Sequence, residues 1–213
     1  MKKPSQLAEM LAAKALAAPA FQQAWAVHMQ AFGPILAPAW PGVNTARVHL
    51  TNILNKISRR DIDGAMRTMA DLERSCGLPG EAEKALHFFL RGLCGEVSGD
   101  AAAMAEGYRQ AGKYGHVFYL PHMKLARMDH AAGRFIDAYH GFMQAAACLE
   151  KTPDVPQRDA ILSAALANAA SCLASAGRED EALELIARAR QTAPGPGVDA
   201  VENAIRASRH AED

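Results

Sequence analysis

The stretch AALANAASCLASAGREDEALELIARARQTAP, residues Ala164–Pro194, decides the fold. Its first half is dense in small helix formers, and Gly177 interrupts it at a turn. Beyond the turn, Ala182, Ile186 and Ala189 recur at four- and three-residue spacing, which puts them on one face of a second helix. Glu179, Asp180 and Glu181 place negative charge at the positive end of that helix. Pro194 then closes the unit. Two antiparallel helices joined by a short turn follow from this pattern, and Gly99 and Gly133 mark the same outline upstream.

Composition agrees. Alanine makes up about a fifth of the 213 residues, and β-branched runs are few, which predicts an all-helical chain long enough for a substantial core. No apolar run approaches the ~20 residues a membrane span needs. Lys plus Arg equal Asp plus Glu at 23 each, so no net field steers the chain toward nucleic acid or an anionic bilayer, and neither is an expected partner. Cys76, Cys94, Cys148 and Cys172 are scattered without a CxxC pair and read as small buried residues in a reducing cytoplasm. The N-terminal MKKPSQLAEMLAAKALAAPA has Glu9 and Lys14 inside its apolar centre, with Leu7, Met10, Leu11 and Ala15 at helical spacing. It reads as an amphipathic helix rather than a secretory signal.

Residues 46–197 divide into four helix pairs. RVHLTNILNKIS, the turn RRDID and GAMRTMADLERS form the first. AEKALHFFLRGLCGEVSGD with AAAMAEGYRQAG forms the second, LPHMKLARMDHAAGR with FIDAYHGFMQAAACLE the third, and the opening stretch the fourth. Pro121 and Pro156 sit near helix starts, where a missing N–H costs little. Residues 1–45 are expected to add helices over about Ser5–Ala17 and Ala20–Phe32, then a connector, GPILAPAWPGV, whose prolines break the helix. Residues 198–213 are expected to hold a capping helix, about Val198–Arg209, with Val198, Val201 and Ile205 on one face. The whole is expected to be one continuous domain.

These pairs resemble the tetratricopeptide repeat (TPR) family, whose unit is ~34 residues in two antiparallel helices. Gly99 and Gly133 stand 34 positions apart; Gly133 and Gly177 stand 44 apart, the excess falling in LEKTPDVPQRDA. The family's small position 20 matches Ala65, Ala138 and Ala182, with Met104 departing. Its bulky position 24 matches Met69, Tyr108, Phe142 and Ile186. Its alanine at position 27 matches Ala111, Ala145 and Ala189, with Leu72 departing, and its small position 8 matches Gly92, Ala126 and Ala170, with Ile53 departing. The resemblance implies an antiparallel helix-pair solenoid with a right-handed superhelix, flanked by the N-terminal helices and the C-terminal cap.

It also implies a concave groove lined by the first helix of each pair. Carried onto this chain, that groove takes Arg47, Leu50, Leu54, Ile57, Phe89 and Leu93 from the first two pairs. The third supplies Met123, Lys124, Arg127 and His130, and the fourth Ala167, Asn168 and Ser171. Such a lining suits a protein or peptide ligand with apolar anchors and an acidic group near Lys124 and Arg127. Leu50 and Leu54 stand where the family's carboxylate-clamping members carry Lys and Asn, so that specific role is not expected. The competing expectation is that the N-terminal helices cover the Leu and Phe positions and make them core. Tyr114, Phe118 and Tyr119 form a second binding candidate, also readable as packing between pairs, while Trp25 and Trp40 are expected to pin the connector to the first pair.

No catalytic or cofactor signature is present: there is no P-loop, GxGxxG turn, GxSxG elbow or HExxH helix. None of His116, His122, His130 and His140 sits in an established ligand pattern, so no metal and no cofactor is expected, and the histidines read as packing or surface residues. The sequence therefore points to a non-catalytic, cytoplasmic adaptor. The alternatives are a homodimeric scaffold, or a chaperone or sensor subunit of a bacterial secretion or regulatory system.

Overall fold

The computed structural model describes residues 4–116 and 118–212, so Met1–Lys3 of the N-terminal lysine-bearing stretch and Val117 of the aromatic run lie outside the described residues. Eleven helices and no strands occur among the described residues. The chain divides into two compact units, one running to Gly115 and one starting at His116.

The first unit holds α1 (Gln6–Leu16), α2 (Pro19–Leu36), α3 (Asn44–Ser58), α4 (Ile62–Cys76), α5 (Glu81–Ser98) and α6 (Ala101–Tyr114). Helix α3 pairs with α4 and α5 with α6, α4 packs on α5, and the N-terminal helices lie against α3, with α2 also reaching α5. Helix α2 runs four residues past the predicted Phe32, through Gly33 and Pro34. Pro34 forgoes one ladder hydrogen bond, and burial of Ile35 and Leu36 just beyond it offsets that loss.

The second unit holds α7 (Tyr119–Ala131), α8 (Phe135–Glu150), α9 (Arg158–Ser175), α10 (Glu179–Thr192) and α11 (Pro196–Glu212). Here α7 pairs with α8, α8 packs on α9, and α9 pairs with α10. The apolar stripe of α11, Val198 and Ile205 buried with Val201 half-buried, covers α9 and α10. The Ser163 hydroxyl reaches the carbonyls of Ala189 and Ala193 at 2.9 and 2.8 Å and ties α9 to the end of α10.

All four pairs turn in the same way. The residue after the turn donates its backbone N–H to the carbonyl five positions back, at 2.9 Å each: Asp61 to Lys56, Asp100 to Gly95, Arg134 to Asp129 and Arg178 to Leu173. This is the helix-ending motif that needs one left-handed residue. Gly99, Gly133 and Gly177 supply it at φ 80°, 73° and 75°, and Arg60 supplies it at φ 61°. The first pair therefore contains the same turn without its glycine. In the first unit the following aspartate also caps the next helix, Asp61 accepting from Gly64 N at 3.0 Å and Asp100 from Ala103 N at 2.9 Å.

The α5–α6 crossing brings backbone against backbone. A Cβ on Gly107 would lie 2.4 Å from Gly92 N, and one on Gly95 would lie 2.4 Å from Met104 N. A Cβ on Gly92 would run into the ring of Tyr108. At Met104, where the small-residue pattern is broken, the close approach is supplied from the facing helix instead: Gly95 lets the α6 backbone at Ala103 and Met104 come against α5.

Candidate protein-binding face

In the first unit the expected groove positions lie on α3 and α5, and α2 packs on both helices, meeting Arg47 and Phe89 among those positions. Leu50, Leu54, Ile57 and Phe89 are buried, and Arg47 and Leu93 half-buried. Three side chains of α2 meet this surface. Trp25 carries the Arg47 guanidinium 4.9 Å from its ring centre, and His28 Nε2 is 3.2 Å from Asn55 Oδ1. Phe32 sits edge-on to Phe89 with centroids 6.1 Å apart. Phe89 in turn packs against Tyr108, whose hydroxyl donates to the Glu96 carboxylate. Burial, then that carboxylate, pushes the Tyr108 phenol above its ordinary range, so it stays a donor.

Helix α1 is fixed differently. The N-cap position of α3 is Val43, which offers no side-chain acceptor. The Glu9 carboxylate fills that role, accepting from Asn44 N at 3.2 Å and Thr45 N at 3.3 Å. Ala12 and Leu16 are buried, whereas Leu7, Met10 and Leu11 remain 57–62% exposed. Trp40 anchors the connector: its backbone N–H donates to Glu83 and its indole N–H to the Gly77 carbonyl, both at 3.0 Å. That anchor lies at the loop between the first two pairs and the start of α5. Trp25 belongs to α2 itself, stacked on Phe21.

In the second unit α7 presents Lys124, Arg127 and His130, with Met123 buried behind them. Arg127 and His130 are exposed, and the His130 ring meets Phe135 edge-on at 5.5 Å. On α9, Ala167 is buried, and Asn168 and Ser171 are half-buried beside α11. Ser171 lines a cleft of about 830 Å³ with Ser175, Glu179, Val201 and Ser208. Asn168 lines a smaller one of about 240 Å³ with Ala164, Pro194 and Val198. Phe118 is buried and Tyr119 half-buried in this unit; Tyr114, in the first unit, stacks on Phe88 at 5.7 Å.

Burial raises all four thiols, Cys76, Cys94 and Cys172 to about 11, which keeps them protonated and poor nucleophiles at neutral pH. Burial lowers His28, His49, His87 and His122, with Asn55, Asp71, Glu73 and Gln144 respectively opposing it. No group of three His, Cys, Asp or Glu side chains is arranged to hold a metal among the described residues. The surfaces present a helix-covered apolar face in one unit and a basic helix face with polar clefts in the other.

Sequence reasoning named the floor of the first face and, as its competing expectation, a cover of N-terminal helices over it. Burial of Leu50, Leu54 and Phe89 and the packing of α2 on α3 and α5 agree with that competing expectation, while the side chains that make the contacts were not named. Trp25, His28 and Phe32 stand at i, i+3 and i+7, one side of one helix, and that spacing was the available signal. Glu179, Ser175 and Ser208 of the larger cleft carried none, because they meet only when α11 folds back. No family model, curated protein or solved structure matches the chain.

Proposed function

We propose that this chain is a TPR-like helix-pair solenoid serving as a non-catalytic cytoplasmic adaptor, which binds a protein or peptide segment on the first-helix faces of its pairs. The observation that carries this reading is the seating of α2 on α3 and α5. A helix with anchors at i, i+3 and i+7 is the form in which amphipathic segments fill apolar grooves. The four matching turns support the repeat part of the reading. On the second unit, exposed Arg127 beside Lys124 suits an acidic group of the ligand.

The test is cross-linked capture from native cells with the full chain and with Arg127→Glu. The adaptor reading expects one partner retained by the parent and lost by the variant at unchanged thermal midpoint. Recovery of nothing but the chain itself, from a protein dimeric at every concentration, refutes it. That result would favour the second reading, a homodimeric scaffold, which rests on the exposed Leu7, Met10 and Leu11 of α1.

A further inference from the structure

We infer that α2 is an exchangeable occupant of the α3–α5 face, held in place of a partner helix with the same anchors. Its ligand class is an uncharged amphipathic helix with aromatic rings at i and i+7 and a hydrogen-bonding side chain at i+3. This deepens the adaptor reading and rests on it.

Three features of α2 separate it from the helices beneath it. First, its body is shallow. Phe21, Trp25, His28, Met29 and Phe32 are only half-buried and Val27 is 59% exposed, whereas Phe89, which Phe32 meets, and Leu50 of α3 are 1% exposed. A helix that belonged to the core would bury its inner face as completely as its neighbours do.

Second, its ends are weak. Ala18 provides no side-chain cap, and the helix has no acidic residue in its first turn and no basic one in its last. Local support is confined to Pro19 in the first turn and the Phe21–Trp25 stack, so most of its helicity comes from the face it lies on. Third, the anchor is separate from the body. Ile35, Leu36, Ala39 and Trp40 are buried, and Trp40 is bonded to Glu83 and Gly77. The missing N–H of Pro34 weakens the ladder between this anchor and the half-buried turns before it. The body of α2 can therefore leave while the anchor stays. Helix α1 leaves with it, since only Ala17 and Ala18 join the two, and the Glu9 cap on α3 is then lost. That cost sets the resting state to covered.

The face beneath is matched to the contacts it makes now: a guanidinium for an aromatic ring, an amide oxygen for a ring nitrogen and a phenyl edge for a phenyl. An incoming helix with those three groups replaces them one for one. Its apparent affinity is reduced by the fraction of time α2 occupies the face.

The probe is a fluorescein-labelled peptide of residues 18–37 with terminal lysines added for solubility, titrated by anisotropy into the full chain and into full-length Trp25→Ala/Phe32→Ala. The expected result is apparent affinity at least about tenfold tighter for the double variant, since two anchors of the resident helix are gone. A peptide carrying the same two changes should bind neither. Equal or weaker binding by a folded double variant overturns the inference. A stable mixed dimer between variant and parent chains assigns the face to a second copy and overturns the foreign-helix assignment. Hydrogen exchange on the unaltered chain decides if the variant does not fold. Exchange in α2 at least about tenfold faster than in α3 and α5 upholds exchangeability, and equal rates refute it. Either refutation leaves the Arg127-dependent capture untouched, so the two ideas fail separately.

Discussion

Replacing Gly107 by alanine tests the packing that builds the first unit. In an exposed helix this change stabilises by about 1 kcal/mol through propensity alone. Here the added Cβ would lie 2.4 Å from Gly92 N, 2.5 Å from Gly92 Cα and 3.0 Å from the Phe88 carbonyl oxygen. Ordinary contact begins near 3.4 Å, so α5 and α6 must part by about 1 Å along their closest approach, where both surfaces are backbone and no side chain can rotate away. Overpacking of this kind costs about 1–3 kcal/mol, and a rigid backbone contact belongs at the upper end. Subtracting the propensity gain leaves about 2 kcal/mol of destabilisation. For a unit of about 100 residues that lowers the thermal midpoint by roughly 10 °C. Circular dichroism melts and urea titrations of the full chain measure it. A midpoint equal to or above the parent's would show that propensity wins and that the helices do not meet through their backbones.

Two further outcomes follow from features of single residues. Arg60 occupies a left-handed conformation that costs a non-glycine residue about 1–2 kcal/mol, so Arg60→Gly, less the roughly 0.5–1 kcal/mol that glycine loses in chain entropy, should raise the midpoint by a few degrees; a fall would mean the Arg60 side chain stabilises more than its backbone strain costs. His28, His49 and His87 are all lowered from 6.5 by burial, so below about pH 6.5 the unfolded chain binds more protons than the native one. Stability should be level above pH 7 and decline from pH 6.5 toward 5, before carboxylates titrate, with His87→Gln flattening part of the decline. Urea midpoints that hold steady or rise on acidification across that window would contradict the assignment.

The turns show what sequence could and could not convey. Gly99, Gly133 and Gly177 announce their conformation because glycine is the residue that adopts it cheaply. Arg60 adopts the same conformation silently, because the hydrogen bond from Asp61 to Lys56 and the Asp61 cap on α4 impose it from outside. Met104 breaks the pattern for a similar reason: the glycine that permits close backbone approach there, Gly95, sits on the other helix, and a position-by-position comparison reads one helix at a time. The groove positions on α3 and α5 were legible as a face, since their spacing is helical. Their burial was legible only as one of two alternatives, open groove or core under the N-terminal helices, because an amphipathic stripe states that it needs a partner without stating which. The run of α2 through Gly33 and Pro34 was hidden by the same logic, a local rule outweighed by the burial of Ile35 and Leu36.

The placement of the two tryptophans has a practical consequence. The chain has only Trp25 and Trp40, one riding half-buried on the Arg47 guanidinium and the other sealed with both N–H groups bonded. Tryptophan emission from the protein, excited selectively at the red edge, therefore arises wholly from the N-terminal helices and their anchor. Movement of α2 changes the surroundings of the indole that lies against Arg47 and leaves the enclosed one as an internal reference. The molecule carries its own optical readout of whether that face is covered, with no dye attached and no residue replaced.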